Sequence, residues 1–102
     1  MDKEIIKEMR NAIKKNDLYT IKYLIDNNDG LLDVVTIFGT FLHDASTYGK
    51  YDVVKYLVEK GIDFKVHYAI GDLENVDAYE YARQYGQTEI AEYLKSKLEE
   101  NV

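Results

Sequence analysis

Two histidines, His43 and His67, and two serines, Ser46 and Ser96, are the only imidazoles and serine hydroxyls available for acid–base or nucleophilic work. A hydroxyl nucleophile needs a base beside it and a third group to orient that base. No serine–histidine–acid arrangement is suggested by these positions. The chain has no cysteine, which excludes disulfides, thiolate metal sites and a thiol nucleophile. His67, Asp72 and Glu74 lie close in sequence and could offer nitrogen and oxygen ligands. Their spacing fits no established metal pattern, and a solvated polar loop explains them as well. Gly39, Gly61 and Gly71 stand alone, with no glycine-rich loop leading to a lysine that could cradle phosphate. The expectation from these residues is therefore no enzyme, no metal and no cofactor.

What remains is recognition, and composition favours it. The 102-residue chain carries 10 tyrosines and no proline. Tyrosine offers a large rigid contact area with a polar tip, although most tyrosines in a chain of this size also line the core. Net charge is −6 and unevenly placed. Residues 1–30 hold six basic and six acidic side chains, whereas residues 66–102 hold three basic and eight acidic. Nucleic acid is disfavoured, since phosphate binding needs a basic surface; a basic protein partner is favoured. No apolar run approaches the roughly 20 residues of a membrane span, and Met1 to Lys15 mixes charged with apolar residues rather than forming a leader. The reading is a cytoplasmic protein with no membrane partner, monomeric or a weak homodimer.

The elements that must position such a surface show themselves as a repeat. Leu42, Ala45, Gly49, Val54, Leu57 and Val58 are matched by Met9, Ala12, Asn16, Ile21, Leu24 and Ile25, each 33 residues earlier. Tyr79, Ala82, Gly86, Ile90, Ala91 and Leu94 match Leu42, Ala45, Gly49, Val53, Val54 and Leu57, each 37 residues later. Apolar spacing of this kind is helical, and the interruption at Gly49 marks a turn between two short helices. Asn16 replaces glycine at one turn, as the next-best residue for a left-handed backbone. The four extra residues of the second spacing must lie between Gly61 and Asn75. The spacing predicts helices over 3–15, 18–28, 41–48, 52–60, 78–85 and 88–100. Thr40 with His43, and Asp77 with Glu80, are placed to cap the first helices of their units. Asp52 and Thr88 are candidates to cap second helices.

Thr40-Phe41-Leu42-His43, with Ala45, Gly49, Val53-Val54, Leu57 and Gly61-Ile62-Asp63, resembles the ankyrin repeat. Phe41 departs from that repeat's usual proline, and Phe38 from its usual glycine. The resemblance implies an all-α solenoid of three helix-turn-helix units with hairpin-like loops, the second loop carrying a short insertion. It implies one domain over 1–102, with units of about 1–33, 34–66 and 67–102. It also implies that His43 braces the loop through backbone hydrogen bonds.

Ankyrin proteins dock partners on the hairpin tips and on the exposed side of each first helix. Carried onto this chain, those positions are Thr36, Ile37 and Gly39 in the first finger and Leu73, Glu74 and Val76 in the second. On the helices they are Thr47, Tyr48, Gln84 and Tyr85. Tyr48 and Tyr85 hold the same place in adjacent units, so their rings are expected side by side. The insertion adds Phe64, His67, Tyr68 and Ile70, with Asp72 and Glu74 as the acids free of a capping role. The function implied is protein binding. Short, acidic ankyrin proteins of bacterial type resemble immunity proteins that neutralise a cognate, often basic, toxin. A generic adaptor or regulatory scaffold is the alternative, and a self-associating repeat protein a further one.

Overall fold

A computed structural model describes residues 2–65, 68–70 and 73–100. Three pairs of antiparallel helices follow one another: α1 (Lys3–Lys14) with α2 (Leu18–Asn27), α3 (Phe41–Thr47) with α4 (Tyr51–Glu59), and α5 (Ala78–Gln84) with α6 (Thr88–Glu100). A 3-10 turn, Leu31–Asp33, follows α2. Between α4 and α5 the chain forms a two-stranded antiparallel hairpin, β1 (Tyr68–Ile70) and β2 (Leu73–Val76), with Tyr68 opposite Val76 and Ile70 opposite Leu73. Each predicted helix is present within a residue or so of its bounds. The extra length of the second connection is this hairpin.

Every first helix starts on a side-chain cap that holds an otherwise unpaired backbone N–H. The Asp2 carboxylate accepts from Glu4 N–H at 2.8 Å, the Thr40 hydroxyl from Leu42 N–H at 3.2 Å, and the Asp77 carboxylate from Glu80 N–H at 2.8 Å. Among the second helices, α2 is capped by Asp17, which accepts from Thr20 N–H at 3.1 Å and from its hydroxyl at 2.6 Å. Asp52 does not cap α4. That helix begins one residue earlier than the spacing indicated, so Lys50 takes the cap position and Asp52 sits in the first turn, where its charge suits the positive end of the helix dipole. Thr88 is the first residue of α6.

The turns inside the three pairs are built alike. Asp17 N–H donates to Ala12 C=O at 2.9 Å, Lys50 N–H to Ala45 C=O at 2.9 Å, and Gln87 N–H to Ala82 C=O at 2.8 Å. The residue before each has a positive φ: 57° at Asn16, 69° at Gly49 and 72° at Gly86. This six-to-one bond with a left-handed residue is a helix C-terminal device, and it sends each second helix back along the first.

With the helices so folded back, one apolar cluster runs through all the pairs. Met9, Ile13, Ile21 and Leu24 meet Leu42, Ala45, Val54 and Leu57, which in turn meet Ala82, Ile90 and Leu94. The first helices stack α1 on α3 on α5, while α4 packs on α6. No pair has an apolar face it could bury alone, so stacking is what closes the core. Among the described residues, no helix is long and apolar enough to cross a membrane.

Candidate interaction surface

The face made by α1, α3 and α5 and by the two connecting fingers is organised from beneath by His43. Thr40 N–H donates to His43 Nδ1 at 3.2 Å, and the Thr40 hydroxyl lies 3.0 Å from the same nitrogen. A nitrogen that accepts a backbone N–H carries no proton, so the proton is on Nε2. Nε2 then donates across the pair boundary to Val76 C=O at 3.4 Å. The ring is 2% exposed and stands edge-on to Tyr81, with centroids 5.4 Å apart. Burial lowers its pKa below the ordinary 6.5, which keeps the ring neutral. His43 therefore ties the second helix pair to the finger that precedes the third, as a bracing residue.

Beside it lies a buried acid. Asp44 is 6% exposed, and its carboxylate accepts from Arg10 Nη2 at 3.3 Å. Burial pushes its pKa up to about 6, against the pull of the Arg10 and Lys14 charges. Arg10 also covers the Phe38 ring, with 4.2 Å from its guanidinium carbon to the ring centre. Four residues on, the Lys14 ammonium lies 5.4 Å from the centre of the Tyr48 ring. Across the boundary to the third pair, Gln87 Nε2 donates to Thr47 C=O at 3.4 Å. Tyr81 and Tyr85 stack at 4.7 Å with a 49° tilt, and burial raises the Tyr81 phenol above its ordinary value.

The sequence-predicted contact positions divide on this frame. Ile37 at the tip of the first finger is 82% exposed, Tyr85 is 52% exposed and Tyr48 is 38% exposed. Gln84 is exposed at the end of α5. Thr36 instead shapes the finger: it exchanges both backbone hydrogen bonds with Gly39 at 2.9 Å, and its hydroxyl accepts from Phe38 N–H at 3.0 Å. Thr47 is half-buried and donates its hydroxyl to His43 C=O at 2.9 Å. Val76 was expected at a contact tip, and that is corrected. Its side chain is 6% exposed and its carbonyl receives His43, because β2 ends in the core just before the Asp77 cap. Tyr68 belongs to β1, and Leu73 and Glu74 belong to β2. His67 and Asp72 lie outside the described residues. The Tyr48 ring lies under the Lys14 ammonium, and the Tyr85 ring lies against Tyr81.

Sequence reasoning missed Arg10, Phe38 and Asp44, which meet at the boundary between the first two pairs. One signal for Arg10 was available, the spacing of Lys3, Lys7, Arg10 and Lys14 along a single helix. Among the described residues, no group of three or more His, Cys, Asp or Glu side chains is gathered as a metal site would require.

Three turns of one design and a histidine capping box bracing the next finger are the structural grammar of a known repeat. Residues 9–102 match the family described as ankyrin repeats, in three copies. The chain belongs to the ankyrin-repeat family. Over 73 residues, 69% of its length, it is 42% identical to Palmitoyltransferase AKR1 of Naumovozyma castellii. That stretch covers 9% of the relative, so the chain spans a small part of the length of the curated protein it matches. Ankyrin repeats are a protein-interaction module and generally non-catalytic. In this ankyrin chain, His43, Thr40 and the turn residues serve the scaffold, and the tip of the first finger and Tyr48 and Tyr85 are exposed.

Proposed function

We propose that this ankyrin chain is a stoichiometric protein-binding module, not an enzyme, whose partner presents a basic surface to its second finger and third helix pair. The observation that carries the reading is the exposure of Ile37, Phe38, Tyr48 and Tyr85 on one face, a cluster richer than the exposed Tyr19 and Tyr23 of α2. Exposed aromatic and aliphatic anchors on a rigid base are what a protein partner desolvates. The excess of acid over base in residues 66–102 supplies the charge complement. In its most specific form the reading is an immunity-type inhibitor, covering the active site of a basic toxin. A regulatory or adaptor role is the second reading. It is favoured by the 42% identity to a short stretch of a much longer protein, a setting in which such repeats serve a larger chain.

The test is co-purification from the native host with the tagged chain, then binding of the recovered partner to variants. One stoichiometric basic protein, toxic when expressed alone and silenced by this chain, supports inhibition. A neutral or acidic partner overturns the charge argument. Replacing Tyr48 and Tyr85 by alanine is expected to weaken binding by about 1–4 kcal/mol while the circular dichroism stays helical. Unfolding of that double variant shows the rings to be core. Charge reversal at Asp72 and Glu74 is expected to weaken association most at low salt.

A further inference from the structure

Helix α1 segregates its charges. Lys3, Lys7, Arg10 and Lys14 fall at spacings of four, three and four residues. At 100° per residue they share an arc of about 60°, and they run for about 17 Å along the helix. Glu4, Glu8, Asn11 and Lys15 share the neighbouring flank, about 100° round the helix, where Glu8, Asn11 and Lys15 line a shallow groove with Asp17 and Thr20. The basic flank is the one that meets the interaction face, since Arg10 covers Phe38 and Lys14 covers Tyr48. Lys3, Lys7 and Lys14 are exposed, and no carboxylate of the described residues lies within ion-pair distance of them. A helix that merely needs solvation mixes its signs around the surface, because opposite charges one turn apart stabilise it and like charges there do the reverse. Arg10 is already met by Asp44, so the like-charge cost that a ligand of opposite sign removes is that of Lys3, Lys7 and Lys14.

We propose that the flank of α1 carrying Lys3, Lys7, Arg10 and Lys14 docks an acidic segment of the protein partner, with Ile37 and Phe38 taking that segment's apolar side chains. This rests on reading the chain as a protein-binding module. It makes the partner two-signed, acidic against the first helix pair and basic against the third. Nucleic acid fits less well. The row is short, and the molecule as a whole carries −6.

The experiment uses the full chain and two fluorescent peptides, one of Leu-Glu-Glu-Leu repeats and one of Leu-Lys-Lys-Leu repeats, followed by anisotropy at low and moderate salt. The acidic peptide is expected to bind, and to bind less as salt rises. The double change Lys7→Glu and Lys14→Glu is expected to weaken it about tenfold or more, whereas Lys15→Glu on the other flank changes it less than about twofold. Should the reversed helix fail to fold, Lys7→Gln with Lys14→Gln provides the same comparison without like-charge repulsion. Equal loss from Lys15→Glu overturns the proposal. So does tighter binding of single-stranded DNA or of phosphatidylserine vesicles than of the acidic peptide, or a self-association that the same double change abolishes. If the basic peptide binds and the acidic one does not, this inference falls while the proposed function stands. If the acidic peptide alone binds, the claim of a basic partner surface falls instead.

Discussion

At the scale of single residues, two neighbours on α3 titrate with opposite consequences. His43 holds its Nδ1 lone pair for Thr40 N–H and its Nε2 proton for Val76 C=O. Its folded pKa is depressed by burial, so the unfolded chain binds a proton first. Its contribution is present above the ordinary 6.5 and is lost as pH falls from there through the folded value. Asp44 runs the other way. Its folded pKa is raised from 3.8 to about 6, so the folded chain binds the proton first and stability falls as pH rises between those values. His43→Phe keeps a ring against Tyr81 but strands the Val76 carbonyl and the Thr40 N–H. It is expected to cost about 1–3 kcal/mol at pH 7 and to remove the acid-side loss below pH 6.5. Asp44→Asn is expected to gain on the unmodified chain as pH rises from about 4 to about 7. Urea titrations at a series of pH values check both, and a stability difference that is flat with pH refutes either assignment. The role of His43 was legible from its place after Thr40. Asp44 was not, because its meaning comes from Arg10, 34 residues away.

At the scale of elements, the turn between paired helices carries the clearest contrast. Gly49 and Gly86 share the same left-handed backbone, at φ 69° and 72°. A Cβ at Gly86 meets nothing within 4 Å, whereas one at Gly49 comes within 2.8 Å of Gln87 Oε1. Gly86→Ala is therefore expected to cost the conformational penalty alone, about 1–2 kcal/mol. Gly49→Ala adds the loss of the Gln87–Thr47 hydrogen bond, because the end of the Gln87 side chain must swing aside. Adding Gln87→Ala to Gly49→Ala should recover only the steric part. Thermal melts of the variants decide this, and equal loss at the two glycines would falsify the interlock. Helix positions and these turns could be read in advance, since Met9/Leu42, Ala12/Ala45 and Asn16/Gly49 repeat at fixed spacing. The extra length of the second finger was also evident from 37 residues replacing 33. The burial of Val76 and the shift of Asp52 off the cap were not, because each depends on where a strand or helix begins to within one residue. Asp17 was overlooked as a cap although it stands where Lys50 stands in the next pair.

At the scale of the whole molecule, α3 lies between α1 and α5, so among these three pairs the middle one is covered on both sides. Stability in such a stack is a sum of unit and interface terms. Amide exchange is therefore expected to be slowest in α3 and α4 and faster toward the start of α1 and the end of α6. Uniform protection across the helices would contradict it. Charge taught a different lesson at this scale. The six basic and six acidic side chains of residues 1–30 cancel in a sum along the chain. The separation of Lys3, Lys7, Arg10 and Lys14 from Glu4 and Glu8 exists only once α1 is wound, and its relevance only once Phe38 and Tyr48 lie beneath the basic row. The two junctions of the stack differ as well. The first is fastened by Arg10 on Asp44 and Phe38 and by Lys14 on Tyr48; the second by His43 on Val76 and by Gln87 on Thr47. The helix pairs are thus keyed parts and not interchangeable cassettes. A tandem duplicate of the middle pair would set Lys50 in the socket that Gln87 fills over Gly49, placing a cation where an amide now donates to a carbonyl. Lengthening this array by copying requires re-cutting the key there and also at the places of Arg10 and Lys14, where the 33-residue register would set His43 and Thr47 against the next Asp44 and Tyr48.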